Sequence, residues 1–128
     1  MNVGRLTCGL AAIFALIGPG LLLRNVNLTE SGLLVADLAL ALWFVSPFVL
    51  VALAVRSDKF SAIGALIATI LAGLFGAWFS TELTFHFYTK SSNHDAIAML
   101  FVAAYQHAII ILTLGLFFFV GWFQARRK

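Results

Sequence analysis

Four long apolar stretches divide the chain, Leu6 to Leu23, Leu33 to Val55, Phe60 to Phe79 and Ala96 to Phe123, and charged residues are almost confined to the segments between and beyond them. A hydrocarbon core about 30 Å thick takes roughly 20 apolar residues in a helix, and each stretch is long enough to cross it. The pattern therefore predicts an all-α integral membrane protein, a four-transmembrane-helix bundle that forms a single domain over residues 1–128. The connecting segments are "RNVNLTESG", "RSDK" and "STELTFHFYTKSSNHD". None is long enough for a soluble domain, and no repeat emerges when the two halves are compared.

Composition agrees with the pattern. Hydrophobic residues make up 62% of the chain and charged residues only 10%, against about 25% charged in an ordinary soluble domain. The first stretch follows a short basic start, "MNVGR", as a signal peptide would. It lacks an A-x-A-like exit, and Gly18, Pro19 and Gly20 lead into Leu21, Leu22 and Leu23, so it reads as a retained helix. Cys8 is the single cysteine and has no partner for an internal disulfide; it reads as a small apolar side chain on helix 1.

Lys and Arg favour the cytoplasmic side of a membrane. With both termini cytoplasmic, Arg5, Arg56, Lys59, Arg126, Arg127 and Lys128 lie inside and only Arg24 and Lys90 outside. Glu30, Asp37, Glu82 and Asp95 fall on or near the outer side, with Asp58 alone inside. The basic balance thus reports topology and contact with lipid head groups of the bilayer, and no nucleic-acid partner is expected. A multi-pass protein of a cell membrane, most simply the bacterial cytoplasmic (inner) membrane, fits this compact layout.

Helix 3 carries the clearest internal pattern. Gly64, Ala68, Ala72, Gly76 and Ser80 form one i, i+4 line, and Ser61, Ala65, Thr69, Gly73 and Ala77 form the next. Small residues let helix backbones approach closely, which matters where lipid removes the hydrophobic drive for association. This face is expected to be the packing centre, within the bundle or against another subunit. Pro19 and Pro47 each remove a backbone donor inside an apolar stretch and are expected to kink their helices. Trp78, Phe79, Phe85, Phe87 and Tyr88 mark the outer boundary and Phe117, Phe118, Phe119, Trp122 and Phe123 the inner one, while Trp43 and Phe44 are deeper and read as core filling.

Chemistry is sparse. If helix 3 continues past its apolar limit, Trp78, Glu82, His86 and Lys90 share one face of an amphipathic extension. A Glu82–His86 pair one turn apart would favour a charged histidine able to sense pH or bind metal. The plainer readings are a solvated helix end or an extended segment, which the Phe85–His86–Phe87 alternation would equally suit. His94 and Asp95 precede helix 4, where Asp95 suits the N-terminal cap and His86 and His94 match no compact zinc spacing, so no metal is expected.

Gln106 and His107 stand side by side in a stretch without a permanent charge. His107 is eleven residues beyond Ala96, which places it roughly 16 Å deep at about 1.5 Å per residue. Both side chains must avoid lipid, because an unsatisfied polar group in hydrocarbon costs several kcal/mol. His107 is expected to reach Ser46 or the carbonyl freed by Pro47. The functional alternative is an outward-facing polar path through Glu82 or His86, Asp37, water, and Tyr105 or His107. Below His107, "IIILTLGLFFFVGWF" adds only Thr113, so a complete route is poorly supported. A single deep histidine, with Met99 nearer the outer side, does not suggest haem, and no cofactor is expected. No nucleophile with a positioned base, paired buried carboxylates or phosphate-cradling glycine loop is present, so no enzyme is expected. Asn27-Leu28-Thr29 matches a glycosylation pattern but lies too near helix 1 to be a convincing acceptor. These readings favour a non-enzymatic membrane protein acting through assembly, as an accessory subunit or a homo-oligomer. The alternative is a proton- or cation-coupled carrier or channel using Asp37, Glu82, His86 and His107.

Overall fold

A computed structural model describes the backbone of residues 2–23, 31–89 and 93–127, and side chains over 2–17, 19–20, 38–82 and 100–127. The fold is all-helical, with α1 Val3–Leu23, α2 Ser31–Arg56, α3 Ala62–Thr89 and α4 Asn93–Arg126. Three of these hold spans long and apolar enough to cross a membrane, Leu38–Arg56 in α2, Ala62–Glu82 in α3 and Leu100–Arg126 in α4, while α1 contributes the shorter apolar run Val3–Ile17 among its described residues.

The helices outrun the apolar stretches because capping and propensity, not hydropathy, set where they stop. Asn2 starts α1: its side-chain oxygen accepts from the Gly4 amide at 3.0 Å and its carbonyl from the Leu6 amide at 3.1 Å. The start of helix 3 differs from expectation. Phe60 belongs to the turn after α2, and Ser61 caps α3 by accepting from the Gly64 amide at 3.3 Å. At its other end α3 remains helical through Thr89, so the backbone carrying Phe85, His86 and Phe87 is helix and not extended. Both α1 and α2 run through Pro19 and Pro47 as continuous helices.

Contacts join α1 to α2 and α3, and α4 to α2 and α3; among the described residues α1 and α4 share no close backbone approach. The small residues of α3 make this packing tight. Ala65, Ala68, Thr69 and Ala72 are wholly buried, and the glycines sit where a neighbouring helix inserts a large side chain. A Cβ at Gly64 would stand 2.8 Å from the Phe117 ring, one at Gly73 would overlap the Phe14 ring, and one at Gly76 would overlap the Gln106 amide nitrogen. Lone hydroxyls in this interior satisfy themselves on their own helix: Thr7 donates to the Val3 carbonyl at 2.8 Å and Thr69 to that of Ala65 at 2.8 Å. The outside is inverted relative to a soluble protein, with Leu16 71%, Leu42 70% and Leu112 72% exposed. An apolar skin of this kind around a small-residue interior is what a lipid solvent permits.

Candidate functional site

The polar side chains of the interior meet at one level. Gln106 is 4% exposed and its Nε2 donates to the Ala72 carbonyl at 3.1 Å; Ala72 is the middle residue of the span Ala62–Glu82. On the other side of α4, His107 Nε2 lies 3.1 Å from the Ser46 hydroxyl. Ser46 adjoins Pro47, the middle residue of Leu38–Arg56. Neighbours on α4 therefore reach the centres of two different helices, as their 100° separation around the axis requires.

The histidine is held on three sides. Nδ1 donates to the Ala103 carbonyl one turn back at 2.6 Å, and since a carbonyl only accepts, Nδ1 carries the hydrogen. The Trp43 indole stacks on the ring at 4.9 Å between centroids, tilted by 28°, and its Nε1 donates to the Leu100 carbonyl at 3.0 Å. Pro47 has no N–H, so the Trp43 carbonyl four residues earlier loses its helical donor, and the Ser46 hydroxyl lies 2.7 Å from that oxygen. One hydroxyl hydrogen thus faces two acceptors, the Trp43 carbonyl and His107 Nε2. Both partners named from sequence for His107, Ser46 and the carbonyl freed by Pro47, belong to this cluster, with Ser46 in direct contact.

Trp43 corrects its expected role. It is half out of the interior at 41% exposure and covers the histidine, whereas Phe44 is buried. Its signal was its place three residues before Ser46, on the same helix face and beside the proline. Tyr105 also departs from the polar path drawn through it. It is 58% exposed on the outer surface, in edge-on contact with Phe75 at 6.1 Å, and its hydroxyl bonds to no described residue. Glu82 is exposed at the end of the α3 span. Asp37 and His86 lie within α2 and α3, with side chains outside the described residues, as do His94, Asp95 and Met99 in α4. Gly64, Ala68, Ala72 and Gly76 are buried along one face of α3 that packs inside the chain. Cys8 is a free, exposed thiol on α1.

Among the described residues no group of three His, Cys, Asp or Glu side chains is placed to hold a metal. The arrangement can hold helices in register through hydrogen bonds made in the interior; the described residues bring no carboxylate to His107. No family model, curated protein or solved structure matches the chain.

Proposed function

We propose that this is a non-enzymatic four-span protein of a cell membrane, with both termini cytoplasmic, which acts by assembling with another transmembrane helix through α4. Tyr105 carries this reading. It is next to Gln106 and His107, whose bonds reach the centres of α2 and α3, so its phenol lies near the middle of the apolar layer and points outward. A tyrosine reaches only about half the distance to either head-group region, taking a half-thickness of about 15 Å. Facing lipid there, the hydroxyl has no acceptor, a costly state in hydrocarbon. A neighbouring subunit that offers a carbonyl or side-chain oxygen removes that cost.

The surface around Tyr105 suits a helix. Phe101, Tyr105, Ala108 and Leu112 form one exposed i, i+4, i+7, i+11 stripe that continues to Gly115. A Cβ at Gly115 would meet nothing within 4 Å, so this glycine, unlike those of α3, has no use inside the chain. A small residue in the stripe lets a second backbone come close. The bacterial cytoplasmic membrane is the setting we favour, from the compact layout and the short connecting segments.

The test is the mass and composition of the complex extracted gently from native membranes. Wild type is expected as a fixed-ratio complex with a partner, or as a homo-oligomer. Tyr105→Phe should weaken it by about 1 kcal/mol, roughly fivefold in association constant, the usual worth of one hydrogen bond between membrane helices, and Gly115→Leu should weaken it further. A monomeric wild type, or an unchanged complex in both variants, overturns the reading.

A further inference from the structure

One end of the molecule carries a recess that opens into a surface groove. The recess, about 480 Å³, is lined by Asn2, Gly4 and Arg5 at the start of α1 and by Val55 and Ala62 across from them. The apolar span of α2 closes at Arg56 and that of α3 opens at Ala62, so the recess lies at the level where the apolar layer ends. Cys8 lines the recess and also the groove beyond it, which makes the two continuous.

The groove, about 210 Å³, runs between α1 and α2, with Cys8, Ala12 and Ala15 on one wall and Val45, Val49 and Ala52 on the other. The walls are antiparallel: Gly4 stands against Val55, and the Phe14 and Phe48 rings stack at 6.3 Å. Arg5, Cys8, Ala12 and Ala15 follow one another at i, i+3, i+7 and i+10, which sets the arginine on the same face of α1 as the groove. Cys8, Ala12 and Val49 are exposed, so the groove is open along its side.

The two parts differ in chemistry. The groove is lined by apolar side chains and one thiol. In the recess Arg5 is an exposed, permanent cation, and no described carboxylate lines the space with it. The Asn2 side chain, whose oxygen accepts from the Gly4 amide at 3.0 Å, adds N–H donors. A positive charge with donors, set at the end of an apolar groove, matches an anionic amphiphile.

We propose that this is a binding site for one anionic phospholipid, its phosphate held by Arg5 and Asn2 and one acyl chain laid along the groove between α1 and α2. A zwitterionic headgroup sets its own cation against Arg5, whereas an anionic one does not, and this selects the lipid. The site rests on the membrane reading but not on assembly through α4, to which α1 makes no close backbone approach among the described residues.

Native mass spectrometry of the full chain released from nanodiscs of phosphatidylglycerol and phosphatidylcholine in equal amounts tests it. The spectrum reads retained lipid separately from the number of protein chains, so failure of the assembly reading and failure of this one are told apart. One phosphatidylglycerol per chain is expected to stay bound in preference to phosphatidylcholine. Arg5→Gln should lower that preference about fivefold, the worth of one basic residue near an anionic lipid. Ala12→Leu, which fills the groove from an exposed position, should lower retention of both lipids, and Arg127→Gln, which removes a cation of α4 outside the site, should change neither. Each variant is checked for retained helicity. No preference in wild type, a preference that survives Arg5→Gln, retention untouched by Ala12→Leu, or an equal loss in Arg127→Gln overturns the proposal.

Discussion

The glycines sort into two kinds by what surrounds them, and this makes their substitution informative. Gly73 and Gly76 each face a large side chain from another helix, and a methyl group at either would overlap it. Gly121 faces nothing within 4 Å. Gly73→Ala should destabilise the fold by about 1–3 kcal/mol, the usual cost of overpacking a close-fitting interior. Gly121→Ala should be neutral or stabilising by up to about 1 kcal/mol, since alanine is the better helix former. Unfolding in mixed micelles, followed by helicity, separates the two; equal effects would remove the distinction. The sequence displays the small-residue lines of α3 plainly, but not that Phe14, Phe117 and Gln106 fill them. Periodicity reports the face of one helix and carries no information about its neighbour's rotamers. His107 offers a further check. With Nδ1 donating to Ala103, ring nitrogen shifts should show a hydrogen on Nδ1, and a ring populated with hydrogen on Nε2 alone would contradict the bond described.

Between elements, the contact of α2 with α4 rests on a compensation. Pro47 frees the Trp43 carbonyl, and Ser46 both approaches that oxygen and faces His107. If the hydroxyl serves the carbonyl, the worth of Ser46 must depend on the proline. Ser46→Ala is expected to cost about 1–2 kcal/mol, the range for an interhelical or back-bonding group in a membrane interior. In a Pro47→Ala background the new backbone N–H can donate to Trp43, so the same substitution should cost less, with a coupling of at least about 0.5 kcal/mol. Additive effects in that double-mutant cycle would mean that Ser46 acts through His107 alone. The four helices were legible because apolar run length is a strong signal. Their ends were not, since α1 begins at Val3 and α4 ends at Arg126, in residues that hydropathy treats as outside. Phe60 shows the same limit: its apolar character predicts a place in helix 3, yet it lies in the turn and packs on Phe118 at 5.9 Å.

At the scale of the whole molecule, the polar groups among the described residues form no continuous route through one chain. Gln106 turns to α3 and His107 to α2, so these neighbours do not share a chamber. Tyr105 points outward and Glu82 is exposed, so neither enters the interior with them. Towards the Arg126 end, Ile110 and Leu114 are buried, and the Thr113 hydroxyl donates to the Ile109 carbonyl of its own helix at 2.7 Å. Beyond Phe117, α4 continues as an exposed aromatic end on which Arg126 lies 3.9 Å from the Trp122 ring centre and Arg127 4.8 Å from that of Phe123, an arrangement suited to a head-group layer. Spacing along each helix was readable from the sequence, because residue number converts directly to rise. Direction was not, and direction is what separates a continuous path from isolated hydrogen bonds. Proteoliposomes holding the purified chain and an internal pH dye should therefore acidify under an imposed potential no faster than protein-free vesicles, at any external pH between roughly 5 and 8, a range bracketing ordinary histidine titration. A proton flux above that leak, abolished by His107→Ala in a folded variant, would make transport the better account of the central histidine and reduce assembly to its setting.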